Sequence, residues 1–317
     1  MKVLVTGGAG FIGSHIVDRL LLEGHKVRIL DNFSTGSRNN FPLEKVELIE
    51  GDIRDRKIVY EAVEGVDAVL HQAALGSVPR SIVDPATTHE INVTGTLNLL
   101  IAAKEAKVKR FVYASSSSVY GNSEYLPKEE SMSARPLSPY ALSKLAGESY
   151  TILFYKLYGF STIALRYFNV FGPRQEANSE YAAVIPRFTE ALLAGNPITI
   201  YGDGLQTRDF TYVDNVVEAN LLALNSTVSG EICNIACGQS YSILELIANL
   251  SDLTQTCPKI IYKKPRPGDV RNSFASISKA IRLLGFRPRV TFIEGLKLTV
   301  DWFRQKKVAE QLTVGTF

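Results

Sequence analysis

The sequence predicts an α/β fold, a doubly wound parallel sheet covered by helices on both faces, with a smaller, interleaved C-terminal α/β lobe. Three observations predict it. Short Val/Ile/Leu-rich runs alternate with amphipathic segments through the first half of the chain. Those runs are apolar almost throughout, as strands buried on both faces are. A glycine trio stands between the first run and the first amphipathic segment, where a strand has to turn tightly into a helix.

The elements follow in order. KVLVT (2–6) reads as the first strand, and TGGAGFIG (6–13) opens a helix over 12–23. KVRIL (26–30) and VELIE (46–50) are the next strands, followed by a helix over 54–63 and the strand AVLHQ (68–72). Helical spacing over 84–106 leads into RFVYAS (110–115), and helical spacing over 139–158 leads into STIALRY (161–167). Beyond that point turns interrupt the pattern, at Gly172-Pro173, at Gly202-Asp203-Gly204 and at 265–268. FTYVDNVVEANLLALN (210–225) again reads as a strand feeding a helix. The expected division is a dinucleotide-binding lobe over 1–168 and a substrate lobe over 169–317, with part of 210–235 returning to the first lobe.

Composition narrows the function. A chain of 317 residues with 45% hydrophobic and 21% charged content is an ordinary globular protein with a large core. A net charge of +3 makes no case for nucleic acid or a membrane surface, so any anion binding has to be local. The N-terminus opens directly on a strand, so no signal peptide is expected, and no apolar run has transmembrane length. Three cysteines, Cys233, Cys237 and Cys257, point to a reducing compartment, so a cytoplasmic protein is expected. Their spacing suits inert core thiols and no metal site.

Gly7, Gly10 and Gly13 form GxxGxxG. Glycine there permits the turn and lets the amides that open the helix, at Phe11 and Ile12, approach a pyrophosphate. Asp31 ends the second strand 18 residues after Gly13. A carboxylate at that place accepts hydrogen bonds from ribose hydroxyls and repels a 2′-phosphate, which favours NAD over NADP. The plainer alternative is that Asp31 caps a turn with Asn32, and Arg38 is a competing cation within reach of a phosphate. GDIRD (51–55) brings Asp52 and Ile53 toward the adenine, and HQAA (71–74) closes Gln72, Ala73 and Ala74 over the cofactor.

SPYALSK (138–144) carries a tyrosine and a lysine one helical turn apart, and of 14 tyrosines only Tyr140 has a lysine four residues on. Ser138 is the expected N-cap and Pro139 the first helical residue. A free phenol, with a pKa near 10, is a poor base. The Lys144 ammonium, together with an oxidised nicotinamide, is expected to favour the phenolate and lower that pKa.

TGGAGFIG, HQAA, the serine run ending in VYG (115–121), YxxxK and LRYFNVFGPRQ (165–175) together resemble the extended short-chain dehydrogenase/reductase family, including its nucleotide-sugar branch, over essentially the whole chain. The resemblance implies a Rossmann-type fold, bound NAD and a UDP-sugar substrate. It implies catalysis by Tyr140, Lys144 and Ser116, with Ser117 the runner-up among four consecutive serines, and it adds Tyr167 to the cofactor residues. Arg208 and Arg266 match positions that grip the pyrophosphate, Tyr201 one that stacks on uracil, and Val184 and Asp269 lie beside these groups. Gly76, Ser116, Tyr140, Asn169, Ala183 and Ser273 match the walls around the pyranose.

Within that branch a dehydratase carries an Asp-Glu pair where this chain has Ser117 and Ser118, and no dedicated acidic site for a decarboxylase is visible. The pattern therefore implies C4 epimerisation through a 4-keto sugar. A small residue at Ser273 leaves room for a 2-acetamido group, so an N-acetylated UDP-hexose is favoured, with UDP-glucose also accepted. The alternatives are an enzyme for UDP-glucose proper or for the C6-oxidised acetylated sugar, with Arg80 as a carboxylate partner. From another class comes a non-catalytic NAD(P) sensor, disfavoured by the intact Ser, Tyr and Lys. The family also implies a homodimer through helices like 84–106 and 139–158, where Tyr150, Ile152, Phe154 and Tyr155 form an apolar face that equally suits the core.

Overall fold

A computed structural model describes residues 1–177, 182–265 and 270–314, the last five without their side chains. The strands β1 (Lys2–Thr6), β2 (Lys26–Asp31), β3 (Glu47–Glu50), β4 (Ala68–His71), β5 (Arg110–Ser116) and β6 (Thr162–Tyr167) match the runs read from sequence to within a residue. The helices α1 (Phe11–Leu22), α2 (Arg56–Val63), α3 (Val78–Val83), α4 (Pro85–His89), α5 (Thr96–Glu105) and α6 (Pro139–Tyr158) lie between them. The second half adds β7 (Val170–Phe171), α7 (Val184–Leu193), β8 (Ile198–Tyr201), β9 (Thr207–Arg208), β10 (Thr211–Tyr212), α8 (Val213–Asn225) and β11 (Glu231–Ile235). It ends with β12 (Tyr241–Ser242), α9 (Ile243–Thr254), β13 (Ile260–Lys263), α10 (Ser278–Leu284) and α11 (Phe292–Val314).

The central sheet has seven strands in the order β11-β6-β5-β4-β1-β2-β3, and every pairing in it is parallel. Alternate residues feed two cores. Val3, Val5, Val112 and Ala114 face the layer of α1 and α8, while Leu4, Phe111 and Tyr113 face the layer of α2, α5 and α6. The first core runs on into the second half of the chain through Phe188, Leu246 and Phe292. The short pairs β7–β10, β9–β12 and β8–β13 frame the cleft on that side.

The expectation of one α-helix over 84–106 is corrected. The stretch is α4, then a π-helical turn over Glu90–Gly95, then α5. Asn92 sits in that turn and is buried, holding Leu75 through both its N–H (2.8 Å) and its carbonyl (3.1 Å) and the Ser143 hydroxyl at 3.0 Å. One extra residue in the turn leaves the apolar spacing on either side intact, so periodicity does not register it. For the apolar face on α6, the core alternative describes Phe154 and Tyr150. Phe154 is core, Tyr150 packs against that core, and the Tyr155 ring lies against Gly230.

Helix α6 begins as expected, with the Ser138 hydroxyl accepting from the Ala141 N–H at 3.1 Å and Pro139 in the first turn. It lies so close to β5 that a Cβ on Gly147 would come within 2.3 Å of the Tyr113 hydroxyl oxygen. One turn beyond Lys144, the buried Glu148 carboxylate accepts from Arg166 Nε (2.8 Å), Arg166 Nη2 (2.6 Å) and the Ser115 hydroxyl (2.7 Å). The Arg166 guanidinium also lies 4.6 Å from the Tyr120 ring centroid. This bidentate pair ties the helix to both β5 and β6.

Removing one partner of a buried ion pair strands the other charge, so Glu148→Ala is expected to cost ~3–5 kcal/mol of stability. Replacing both charges by Met should cost far less. Urea unfolding of the two variants checks this. Equal losses would mean that side-chain volume, not charge, holds the helix.

Candidate active site

The chain order reverses between β1 and β4, and a cleft opens beyond the carboxyl ends of those strands, as such switch points require. The cavity there has a volume of about 1170 Å³. A smaller cavity of about 260 Å³ adjoins it and shares Asn169, Ala183 and Arg208 in its walls.

At one end lies the glycine turn. Gly7 has φ +69°, and a Cβ on Gly13 would fall 2.0 Å from the Gly7 carbonyl oxygen, so the turn excludes side chains at both positions. Gly10 is the N-cap of α1 and offers no capping side chain, which leaves the amides of Phe11 and Ile12 without intrahelical acceptors. All five of these residues line the cavity. An anionic group on this helix end would satisfy those donors.

Asp31 lies at the end of β2 and is buried. One carboxylate oxygen accepts from the Ala9 N–H (2.9 Å) and the other from the Phe33 N–H (2.8 Å). Burial raises its pKa, and these two amides act against that rise. Asp31 therefore does tie down the turn, yet it keeps lone pairs for a ribose and lines the cavity. Asn32 donates to Asp52 at 2.9 Å, and Arg54 holds the Asp52 carboxyl below its ordinary pKa. Arg38 pairs with Glu50 and lies over the Phe33 ring. Ile53, Gln72, Ala73 and Ala74 complete this end of the wall. Gln72 is fixed by Asn220 (3.1 Å) and by the Tyr167 hydroxyl (3.2 Å). His71, beside it, bridges the Thr6 and Thr96 hydroxyls, and burial pushes its pKa down to about 3, so it is a neutral structural residue.

Ser116, Tyr140 and Lys144 meet in the middle of the cavity wall. Ser116 is hydrogen-bonded to the Tyr140 phenol. It also accepts from the Ser118 hydroxyl at 2.9 Å. Ser115 instead turns away to Glu148, and Ser117 lines the cavity beside the cluster. Lys144 donates to the Ala114 carbonyl at 2.8 Å, and burial lowers its pKa to about 7.

The expectation for Tyr140 rests on the Lys144 ammonium and an oxidised nicotinamide together, and the protein's own groups supply only the first. The protein alone raises the phenol's pKa. Burial is the larger cause, and the Ser116 hydrogen bond acts in the opposite direction. A lysine that is itself desolvated to a pKa of about 7 is only partly charged near neutrality, so it cannot by itself outweigh the loss of water around the phenol.

On the far side, Asn169 and Ser273 lie in the larger cavity's wall, as do Gly76, Ala183 and Arg208, while Val184 and Tyr201 line the smaller cavity. Asn169 has φ +35°, an uncommon conformation for a non-glycine residue, and its amide donates to the Asp209 carbonyl at 3.0 Å. Arg266 and Asp269 lie outside the described residues. Sequence reading overlooked Lys128, Asn272 and Trp302, which also line the cavity. Lys128 stands in a charged KEE stretch that reads as solvated surface, so nothing in the pattern marks it. Of the three thiols, none is in a disulfide, Cys233 is buried and Cys257 is exposed, which corrects its placement in the core.

A glycine turn facing a carboxylate at one end of a cleft, and a half-buried serine and tyrosine beside a buried lysine in its wall, define a dinucleotide-dependent enzyme. The chain belongs to the NAD dependent epimerase/dehydratase family, whose sequence model matches residues 3–236. The cofactor is NAD. The structure is similar to that of a UDP-glucose 4-epimerase with UDP-glucose from Thermotoga maritima (39% identity, TM-score 0.94, covering 97% of this chain and 100% of the other). It is similar too to a UDP-N-acetylglucosamine 4-epimerase from Methanobrevibacter ruminantium in complex with UDP-N-acetylmuramic acid (42%, TM-score 0.92, 96% and 98%). A UDP-N-acetyl-alpha-D-glucosaminuronate decarboxylase of Bacillus cytotoxicus is 37% identical over 96% of this chain and 98% of its own.

If Asp31 accepts from the ribose and repels a 2′-phosphate, as its place at the strand end leads one to expect, Asp31→Ala should weaken the preference for NAD over NADP. Two amides lose their acceptor as well, and a modest fall in Tm should accompany the change. Calorimetric affinities for both cofactors check this. Equal movement of the two would leave Asp31 with the turn-capping role alone.

Proposed function

We propose that this chain is a UDP-sugar 4-epimerase that interconverts UDP-N-acetylglucosamine and UDP-N-acetylgalactosamine, and that it also accepts UDP-glucose and UDP-galactose. The observation that carries the reading is the company kept by the catalytic cluster. Around Ser116, Tyr140 and Lys144 the cavity wall offers hydroxyls at Ser117 and Ser118 where a dehydratase would place acids. NAD, when bound, supplies the hydride acceptor and donor. Tyr140 takes the proton of the C4 hydroxyl and returns it, Ser116 bridges sugar oxygen and phenol, and Lys144 supports the phenolate. Arg208, with Arg266, holds the UDP while the sugar presents its opposite face, and Tyr201 stacks on the uracil. Asn169, Gly76, Ala183 and Ser273 surround the pyranose.

The acetylated substrate rests on small walls. A Cβ on Gly76 would meet nothing within 4 Å, and Ser273 is a small residue in the wall. The similarity to the M. ruminantium enzyme supports the same choice. The T. maritima likeness supports UDP-glucose as the main substrate instead, and the decarboxylase relative keeps a C6-oxidised sugar in view. A sensor without catalysis is disfavoured by the assembled cluster. Among exposed apolar side chains, Ile82 and Val83 of α3 and Leu142, Leu153 and Leu157 of α6 favour a homodimer through these helices, which sedimentation equilibrium tests.

Incubating the protein with acetylated and plain UDP-hexoses and identifying the sugars by NMR tests the reaction. Tyr140→Phe should keep NAD content and lose ~10²–10⁴ in turnover. Retention of more than about a tenth of the rate would remove the tyrosine from the chemistry.

Ser273→Tyr places a ring where a 2-acetamido group must sit, and overpacking of ~1–3 kcal/mol corresponds to about 5- to 150-fold. The ratio of kcat/KM for UDP-N-acetylglucosamine over UDP-glucose should fall by that factor, with the fold unchanged. Equal losses on both sugars would refute the choice of the acetylated substrate.

A further inference from the structure

Asp209 is fully buried between β9 and β10, and its carboxylate holds two other segments of the chain. One oxygen accepts from the Cys237 N–H at 2.9 Å, the other from the N–H groups of Gly238 (3.1 Å) and Ala275 (3.3 Å). Its backbone carbonyl accepts from the Asn169 amide at 3.0 Å. These contacts reach the far wall of the cleft. Arg208 precedes Asp209, Ser273 lies two residues before Ala275, and Arg208, Ser273 and Asn169 all line the large cavity. Cys237 and Gly238 come just after β11, which pairs with β6, and β6 pairs with the strand that ends in Ser116. One carboxylate thus ties the far wall to the sheet that carries the catalytic cluster.

Stability alone does not account for a carboxylate at this place, because no cation among the described residues forms an ion pair with it. Arg208 donates to the Thr207 (2.8 Å) and Arg271 (3.2 Å) carbonyls, Arg271 pairs with Asp203, and the Lys128 ammonium goes to the Ser123 carbonyl. The titratable groups that face Asp209 are the Cys237 thiol and the Tyr241 phenol, both pushed up and hence neutral near pH 7. Glu245, beyond Tyr241, caps its own helix. Burial raises the Asp209 pKa from 3.8 to about 7, with the amides acting against that rise. The folded value lies above the unfolded one, so this group takes stability away as pH rises between those two values. The fold by itself gains nothing from the charge. We infer that Asp209 is a positioning residue, whose carboxylate sets where the sugar-side wall stands relative to Ser116, Tyr140 and Lys144. This deepens and rests on the nucleotide-sugar reading above. Asparagine has the same shape, but its NH2 group would face one of the three N–H donors and release that segment.

Asp209→Asn, loaded with NAD, is compared with the native protein. Turnover per NAD-loaded site is read by NMR with whichever UDP-sugar the native protein consumes, and affinity for UDP alone is read by calorimetry. Turnover should fall about tenfold or more, since a small misplacement of the reacting carbon is enough for that, while UDP affinity should change by less than about threefold. Thermal unfolding at pH 8 and NAD content verify that the variant folds. No loss of Tm is expected, because the charge removed is one that burial disfavours. Asp209→Ser replaces the variant if it does not fold. The inference is overturned by a smaller loss of turnover per loaded site. It is overturned equally if UDP affinity falls in parallel with turnover, which would mean that the whole lobe has loosened. Failure of the epimerase reading shows separately, as native protein that yields no C4-epimerised sugar in the NMR assay.

Discussion

The buried Glu148–Arg166 pair is the constraint on which the site depends. Helix α6 has to present Tyr140 and Lys144 to one cleft at a fixed depth, and helix packing on a sheet does not by itself fix sliding along the helix axis. A bidentate ion pair with a third donor from Ser115 does. The same carboxylate thereby joins the strand that ends in Ser116 to the helix that carries its two partners. The three catalytic candidates come from two elements, and a single carboxylate behind them sets their register.

Desolvation is the shared electrostatic theme. Tyr140 and Lys144 are both pushed toward their neutral forms by burial, and Asp31 is pushed in the same sense. A cationic ring near the phenol, or a phosphate at the glycine turn, acts in surroundings with little water to screen it.

Much of this was legible in the sequence. The six strands of the first half stand within a residue of their apolar runs because strands buried on both faces leave an unmistakable signal. The dinucleotide end was legible because glycine spacing and a strand-end acid are local features. The π-helical turn at Glu90–Gly95 was not, since an inserted residue changes hydrogen bonding without disturbing the apolar period on either side. The rise in pKa that the protein alone imposes on Tyr140 was hidden for a different reason. Spacing reveals which charges are neighbours, but the depth of burial that outweighs them is a property of the whole packed layer. Lys128 was hidden for the same reason, as a charged loop residue looks alike in sequence whether it faces water or a cavity.

The return of the chain through α8 and β11 has a consequence for how such a protein changes over time. The cleft is walled by segments before β6, at Gly76, Ser116, Lys128 and Tyr140, and by segments after it, at Asn169, Ala183 and Ser273, while the main core passes without interruption from the sheet to Phe188, Leu246 and Phe292. The pocket is therefore built by both halves of the chain and is not a separable module. New specificities can arise by editing residues in place, at Ser273 for instance. They cannot be imported by grafting a foreign lobe, because the cut would pass through the last strand of the sheet.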